Sequence, residues 1–228
     1  MSLVGLCQGG WLAAAYAARF PRKVVRLVLA GAPIDISAAE SHITRTLSSV
    51  STETIAQALA FNGGRVLGSL SYALFSGDLL RDFTAQAALQ CTDDPALNEK
   101  FNAWNARTVD LPGAYFLQTA EWLFRENRLA RGCFPSLGRQ SPLSNIEAPI
   151  FVLAAADDEV VAVPQATAVK SLCMGTSVEI RMERGWHLSL FMGRRTLAGA
   201  WLDIARWLDG DSGGASRSAP TTKSRTRR

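Results

Sequence analysis

The chain of 228 residues contains few of the residues that build metal sites and disulfide frameworks. It has two histidines and four widely spaced cysteines, and no C-x-x-C pair. That scarcity argues against a zinc site and a disulfide scaffold, so we expect no bound metal. No apolar run reaches the ~18 residues that a membrane span needs, and the first residues lack the pattern of a signal peptide. We therefore predict a protein of the reducing cytoplasm without a transmembrane segment.

A strong excess of one charge is also absent from most of the chain. The formal net charge is +4, from 24 basic and 20 acidic residues. Five of the basic residues but only one acid follow Gly210, so the preceding residues are formally neutral. Without a basic face or an Arg-lined helix, we expect no nucleic-acid partner. Residues 210–228 predict a disordered basic tail, with weak contact with anionic surfaces as the other option.

Hydrophobic residues make up 48% of the chain and follow the pattern of an α/β domain. Four apolar runs predict buried strands of a mostly parallel sheet. These predicted strands are residues 2–6, 24–30, 150–156 and 177–182. Helical spacing predicts the helices that follow them, at residues 9–20, 165–174 and 194–208.

No further strand of that kind is evident between residues 34 and 145. Helical spacing there predicts a mainly helical insertion, with helices at residues 52–61, 79–89 and 114–124. We divide the chain accordingly into a strand–helix–strand segment (1–33), a helical lid (34–145), a second α/β segment (146–209) and the tail (210–228).

The sharpest local signal is the sequence G-L-C-Q-G-G that begins at Gly5, between the first predicted strand and helix. A nucleophile elbow is a strained turn with small neighbours; Gly5 and Gly9 are expected to meet that need, and Gly10 to bring the helix close. The helix N-terminus would stabilise a thiolate at Cys7, and the backbone N–H of Gln8 would be one oxyanion donor. The other interpretation is a structural turn with a buried cysteine.

An activated cysteine needs a base, and the histidines are His42 and His187. His42 lies among polar residues of the predicted insertion, which favours a solvated surface position. His187 follows the last predicted strand and precedes the last helix. That is where the base of an α/β-hydrolase site falls, in the chain order nucleophile, acid, base. The other interpretation of His187 is a core histidine beside Trp186.

The acid that orients the base is expected directly after the strand at residues 150–156. Asp158 is the preferred candidate, because the turn that follows it would place it over the carboxyl edge of the sheet. Asp157 would then hold the turn, and Asp35, just past an earlier strand, is the second candidate acid. Tandem acids in a loop are usually solvated, so the assignment of Asp158 as the acid is supported only by the presence of Cys7 and His187.

With these residues placed, the sequence resembles the polyhydroxyalkanoate synthases, whose nucleophile box is of the G-x-C-x-G-G kind. Residues 104–112, W-N-A-R-T-V-D-L-P, look like the family's W-N-x-D-x-T-x-L-P, with Arg107 in place of Asp. Residues 127–132, N-R-L-A-R-G, match its N-x-L-x-x-G. The resemblance runs in order from about Leu3 to Leu208 and implies an α/β-hydrolase fold with a large helical lid.

By that resemblance, Cys7 would be the acyl-accepting nucleophile, His187 the base and Asp158 the partner of His187. The implied activity is transfer of 3-hydroxyacyl groups from coenzyme A to a growing polyester. The coenzyme A thioester would be a substrate, so we expect no cofactor. The resemblance also makes association with polyester granules in the cytoplasm an option, and leaves a homo-oligomer or a partner subunit open.

Other parts of the sequence are similar to intracellular polyhydroxyalkanoate depolymerases. These are residues 165–173 and residues 185–195, where Trp186 separates Gly185 from His187; the synthases usually have Gly directly before this His. Hydrolysis of the same polyester by the same triad is therefore the alternative activity.

The predicted strands number four, whereas the elbow strand is normally the fifth of eight in this fold. We therefore expect the chain to be the C-terminal half of the sheet, truncated at its N-terminus, with the edge of its first strand uncovered. An inactive fragment with a granule-surface or regulatory role is the non-enzymatic alternative.

Overall fold

The computed structural model describes residues 1–61, 64–66, 99–100, 103 and 110–210. Eight strands occur in these ranges: β1 (Ser2–Leu6), β2 (Arg26–Ala30), β3 (Arg65–Val66), β4 (Leu111–Pro112), β5 (Pro135–Ser136), β6 (Arg139–Gln140), β7 (Ile150–Ala155) and β8 (Val178–Glu183). The same ranges contain nine named α-helices: α1 (Gln8–Arg19), α2 (His42–Ser49), α3 (Thr52–Phe61), α4 (Gly113–Gln118), α5 (Val163–Thr167), α6 (Val169–Leu172), α7 (Ser189–Met192), α8 (Arg194–Ala198) and α9 (Ala200–Asp209). A π-helix (Thr119–Arg125) continues α4.

The main sheet has four strands in the order β1–β2–β7–β8, and all neighbours are parallel. These are the four strands that the apolar runs predict, with ends that differ by two residues at most. Every residue of β7 is buried, as expected for a central strand covered on both faces. Because the strands are parallel, their carboxyl ends lie at one edge of the sheet, where ligands bind in open α/β folds.

Alternate residues of the central strands contribute to two cores. Leu27 and Leu29 of β2 pack on the face covered by α1, with Trp11 of that helix. Val28 of β2 lies on the other face, in a cluster with Ile204 of α9. The period of two along a strand thus lets one apolar run fill both cores.

Strand β1 lies at an edge of the main sheet, as the sequence predicts. Val4 and Leu6 are 46% and 43% exposed. The cluster on the face opposite α1 contains residues of β2 and β7 but none of β1. One face of β1 therefore carries uncovered apolar side chains among the described residues.

The helical insertion is partly described. The predicted helix at residues 52–61 is confirmed as α3, and the predicted helix at 79–89 lies outside the described residues. The predicted helix at 114–124 is instead α4 followed by the π-helix. Two short antiparallel ladders, β3–β4 and β5–β6, also occur here, and two-residue strands leave too little pattern for prediction.

Two C-terminal helices predicted as continuous are each divided. The predicted helix at 165–174 is replaced by α5 and α6, which end at Leu172, and the predicted helix at 194–208 is replaced by α8 and α9. The second division lies at Gly199, whose φ of −120° and ψ of −84° are not helical. None of the helices in the described ranges has the length and apolar content that crossing a bilayer requires.

Candidate active site

Cys7 lies in the sharp turn between β1 and α1 with a strained backbone. Its φ of 47° and ψ of −116° place a residue with a Cβ in the left-handed half of φ/ψ space. Two hydrogen bonds hold the turn: the Cys7 N–H donates to the Ala30 carbonyl at 2.8 Å, and the Gly10 N–H donates to the Cys7 carbonyl at 2.9 Å. Strain of this kind is the backbone feature that defines a nucleophile elbow.

The glycines of the motif have different functions. A Cβ on Gly5 would lie 2.5 Å from the Gly9 carbonyl oxygen, and a Cβ on Gly10 would lie 2.3 Å from the Ala32 Cβ. Gly5 and Gly10 are therefore required for the close packing of the turn. A Cβ on Gly9 would meet no atom within 4 Å, so the expectation that Gly9 is needed for space is wrong.

Asp158 lies in the loop after β7, and its side chain is 1% exposed. Its Oδ1 accepts hydrogen bonds from the backbone N–H groups of Val160 and Val161 at 2.9 and 2.8 Å. Its Oδ2 lies 2.7 Å from His187 Nδ1. The turn thus fixes one carboxyl oxygen and directs the other at the imidazole.

His187 lies in the loop after β8 and is 5% exposed. It hydrogen-bonds the side chains of Asp158 and Cys7. Burial would lower the pKa of His187, but the negative charge of Cys7 and the hydrogen bond with Asp158 outweigh burial and raise the pKa above its ordinary value. The neighbours of His187 therefore favour the protonated form of its imidazole.

The loops after β7 and β8 are joined directly. The Asp157 N–H donates to the Gly185 carbonyl at 3.1 Å, and the Gly185 N–H donates to Asp157 Oδ2 at 3.4 Å. Asp157 thus ties the acid loop to the loop of the histidine, a wider function than the local turn that the sequence suggests.

Gly31 makes room for the imidazole, a function that the sequence reasoning missed. It follows β2 with a φ of +55°, and its N–H donates to the Leu153 carbonyl at 2.8 Å. A Cβ at this position would lie 3.0 Å from His187 Cε1 and 3.1 Å from Leu190 Cδ1. The only signal in the sequence is a glycine at the end of a predicted buried strand. Such a glycine does not reveal a contact with His187, which lies 156 positions later in the chain.

Asp35, the second candidate acid, has other partners. Its Oδ1 accepts hydrogen bonds from the Ser37 hydroxyl and the Asn127 amide at 2.7 and 2.8 Å. Burial acts to raise the pKa of Asp35, but these hydrogen bonds outweigh it and lower the pKa. The structure brings Asp158, and not Asp35, to His187.

His42, expected to be solvated, is half-buried at the start of α2. Its backbone N–H donates to the Glu159 carbonyl at 3.1 Å, and its Nε2 lies 3.5 Å from Thr46 Oγ1. His42 is thus less exposed than expected, because α2 packs beside the loop that carries Asp158. Its side-chain partner is Thr46, and Cys7 is paired with His187.

A cavity of about 260 Å³ opens beside Cys7 and His187. Its wall is mostly apolar and includes Trp11, Ile43 and Phe124. The site can therefore hold an apolar group, such as an acyl chain, against the thiol.

Gln8 begins α1, where the first N–H groups of a helix have no partner within the helix. Its backbone N–H therefore remains the candidate oxyanion donor. Its side chain hydrogen-bonds the hydroxyl of Tyr115, which also bonds the side chain of Thr119. Burial, the largest cause, raises the pKa of Tyr115, and so its hydroxyl stays neutral.

Buried Gln165 connects the acid loop to the chain after β2, a function with no local signal in the sequence. Its Oε1 accepts from the Ala162 N–H at 3.1 Å, and its Nε2 donates to the carbonyls of Ile36 and Ala39. The amide thus fixes the relative position of two loops at the site.

The segments that carry the family resemblance are described in part. Residues 104–109 lie outside the described residues, and Leu111 lines the cavity. Asn127 has a φ of 52° and bonds Asp35, Leu129 is fully buried, and Gly132 has a φ of +72°. The N-x-L-x-x-G motif is therefore structural here, since its residues form a turn packed on the core.

No group of three or more potential metal ligands occurs among the described residues.

Comparison with known proteins places this geometry in context. Residues 2–188 match the family of the α/β hydrolase fold. The poly(3-hydroxyalkanoate) polymerase subunit PhaC of Allochromatium vinosum is 22% identical over 215 residues, which are 92% of this chain and 59% of that protein. PhaC of Haloferax mediterranei is 22% identical over 91% of this chain and 43% of that protein. The chain thus spans about half the length of these curated relatives.

Solved structures support the fold. A monoacylglycerol lipase from Paleococcus ferrophilus superposes with a TM-score of 0.55 at 16% identity, over 92% of this chain and 68% of the lipase. An acetylester hydrolase from Corynebacterium glutamicum gives 0.54 at 16% identity, over 91% of this chain and 61% of the hydrolase.

Proposed function

Because the chain belongs to the family of the α/β hydrolase fold, we propose that it is an acyltransferase similar to the polyhydroxyalkanoate synthases. The observation that carries the proposal is a cysteine, and not a serine, at a strained elbow beside a buried His–Asp pair. A thiol suits thioester exchange, because it is a strong nucleophile and also leaves readily when an alcohol attacks its ester.

The proposed substrates are a 3-hydroxyacyl-coenzyme A and the hydroxyl end of a polyester chain. The Cys7 thiolate attacks the thioester carbonyl, and the Gln8 N–H stabilises the oxyanion. The carbon–sulfur bond to coenzyme A breaks, and the departing thiolate takes a proton from His187. The acyl group is then held on Cys7 within the apolar cavity.

The second half of the proposed reaction, transfer of the acyl group from Cys7 to the polyester, returns the enzyme to its starting state. His187 removes the proton from the chain hydroxyl, whose oxygen attacks the acyl-cysteine carbonyl. An ester bond forms and the carbon–sulfur bond to Cys7 breaks. The thiolate is left beside a protonated His187, which the raised pKa of that imidazole favours. Asp158 holds the Nδ1 side of the ring throughout. A protein with this activity would work at the surface of polyester granules.

Acyl transfer is tested by incubating the purified chain with 3-hydroxybutyryl-coenzyme A. We expect release of free coenzyme A, formation of polymer and, by mass spectrometry, one acyl unit attached to the peptide of Cys7. Cys7→Ala removes all three, whereas Cys133→Ala, at a half-buried free cysteine outside the cavity lining, leaves them intact.

Hydrolysis by the same triad gives a different result. Soluble hydroxy acid released from added polymer, without polymer formation from the thioester, would contradict the synthase proposal in favour of a depolymerase. If the folded protein catalyses neither polymer synthesis nor polymer hydrolysis, the result would favour the non-enzymatic alternative.

A further inference from the structure

One side-chain hydroxyl faces the apolar cavity. It belongs to Thr119, which lines the cavity and is 8% exposed. Among the described lining residues, the other side chains with polar atoms are those of Cys7, Gln8 and His187 and, through its indole N–H, Trp11. A hydroxyl in an otherwise apolar wall is the kind of group that orients a ligand and discriminates between ligands.

The backbone holds Thr119 where a regular α-helix ends. It is the first residue of the π-helix, and its N–H donates to the carbonyls of Tyr115 and Phe116. π-helical turns inside α-helices occur frequently at functional sites. The Thr119 side chain hydrogen-bonds Tyr115, which in turn bonds the Gln8 side chain next to the nucleophile. Thr119 is thus held in a fixed network beside the reacting thiol.

The chemistry of a threonine hydroxyl suggests what it binds. The group has one donor and two acceptor sites, and its hydrogen bond with Tyr115 uses one of them. An acyl chain with a hydroxyl near its carbonyl would bury that hydroxyl in this cavity, which is costly without a partner. Thr119 can accept the hydrogen bond of such a hydroxyl.

We infer that Thr119 selects acyl groups that carry a hydroxyl close to the carbonyl over the same acyl groups without it. The inference rests on the proposed function, because it assumes that the cavity holds the acyl group. It deepens that function by assigning the choice of substrate to one side chain.

Binding separates this inference from turnover. In the full chain with Cys7→Ala, the dissociation constants of 3-hydroxybutyryl-coenzyme A and butyryl-coenzyme A are measured by calorimetry. We expect the hydroxylated thioester to bind about tenfold more tightly, which is the size of one neutral hydrogen bond. Adding Thr119→Val removes the difference by weakening the hydroxylated thioester alone, and Thr119→Ser retains it.

The control is Thr167→Val, since Thr167 also lies in a helix and bonds a residue four positions before it, at 2.9 Å, but does not line the cavity. It keeps the tenfold difference. Thermal melting checks that each variant is folded, and Thr119→Ala replaces Thr119→Val if that variant unfolds. Equal affinities in the Cys7→Ala parent, equal losses for both thioesters, or no binding of either would overturn the inference. Absence of turnover in the unmodified chain would instead count against the proposed acyl transfer alone.

Discussion

At the scale of single residues, the charge of His187 depends on neighbours whose effect on its pKa is opposite to that of burial. His187 is 5% exposed, and burial disfavours a charged imidazole. Cys7 and Asp158 reverse that preference and raise its pKa. Since the pKa is raised in the folded state, protonated His187 stabilises the fold below its unfolded-state pKa of ~6.5. That contribution is lost as the pH rises through the folded-state pKa.

Removal of the thiol is expected to lower the pKa of His187, because the attraction of the thiolate for the imidazolium disappears. The measurement is a proton NMR titration of the imidazole signals of Cys7→Ala against the unmodified chain. The chain has two histidines, so His42→Gln assigns both signals. Cys133→Ala should leave the titration of His187 unchanged; an unchanged titration in Cys7→Ala would show that the two groups are not coupled.

Gly31→Ala is expected to reduce kcat by about 100-fold, because the new Cβ displaces the imidazole and a small misplacement of a catalytic group can cost that much. The backbone strain of Ala at positive φ adds a cost of ~1–2 kcal/mol in stability. Gly138→Ala isolates this cost: its φ is +76°, and an added Cβ meets nothing within 4 Å. Acyl transfer and urea unfolding are measured for both variants. Equal kcat in the two would contradict the proposed function of Gly31.

The sequence reveals residues whose chemistry is local and misses those defined by contacts. Cys7, Asp158 and His187 follow predicted strands in a recognisable order, and their juxtaposition follows from a parallel sheet. Gly31 and Gln165 have no such signal, because their partners are brought to them by the fold. Gly9 was misassigned because spacing alone does not tell which glycine of a turn faces a neighbour.

At the scale of elements, α1 is held against the sheet by close backbone contact at its start. Gly10 is buried and lies against Ala32, just after β2. Farther along α1, Ala14, Ala17 and Ala18 continue the close approach, each 2% exposed or less. Small residues along one face allow the helix to lie near the strands and carry Cys7 to its position.

Gly10→Ala is expected to destabilise the fold by ~1–3 kcal/mol, the usual cost of overpacking, since its Cβ would lie 2.3 Å from the Ala32 Cβ. Gly9→Ala is expected to be neutral or to stabilise α1 by up to ~1 kcal/mol, because alanine favours a helix over glycine. Urea unfolding of both variants gives the difference. Similar midpoints for the two would contradict the steric distinction between these neighbours.

Arg125 connects the π-helix to α2 and α3. Its guanidinium donates to the Val50 carbonyl, to Thr52 Oγ1, to the Leu47 carbonyl at 3.3 Å and to Glu121 Oε2 at 3.1 Å. Arg125→Met is expected to cost about 2 kcal/mol, because a charged donor to partly buried groups is lost. Hydrogen exchange should rise in α2 and α3 and stay unchanged in β2 and β7.

The matched control for this change is Arg206→Met. Arg206 bonds Asp203 at 2.9 Å in an exposed pair, which contributes little to stability. It should leave exchange in α2 and α3 unchanged. Faster exchange spread evenly over the whole described chain in Arg125→Met would contradict a local connection.

Elements were predictable where the pattern is long and regular. The parallel strands are recognised because both of their faces are buried and the whole run is apolar. The division at Gly199 and the π-helix were missed because the apolar spacing continues through both. Gly199 adopts a non-helical backbone although apolar residues keep helical spacing on both sides of it, and periodicity does not record hydrogen bonds. Leu197, before the division, is 46% exposed, whereas Ile204, after it, is buried.

At the scale of the whole molecule, charge and chemistry are separated along the chain. The residues up to Gly210 are formally neutral, and the net charge of +4 comes from the residues that follow. The catalytic candidates all lie at one edge of the main sheet, after β1, β7 and β8. Attraction to anionic surfaces and acyl chemistry should therefore be separable by truncation.

A chain that ends at Gly210 keeps the left-handed residue, with φ of 91°, that ends α9. We expect it to lose weak binding to vesicles that contain anionic lipid while acyl transfer is retained. The binding of the full chain should itself disappear above ~0.15 M salt, where charges are screened beyond about 8 Å. Sedimentation with vesicles measures the binding to anionic lipid, and release of coenzyme A measures acyl transfer. Equal sedimentation of both chains at low salt would contradict this assignment of the charge.

The polarity of the main sheet also has a practical consequence. The first residue lies at the opposite end of β1 from the Cys7 thiol, and its amino group donates to the Lys23 carbonyl at 2.9 Å. Five residues of strand separate the two ends by roughly 17 Å. A sensor surface or bead coupled at that end of β1 would hold the molecule with the edge that carries Cys7, Asp158 and His187 facing the solution.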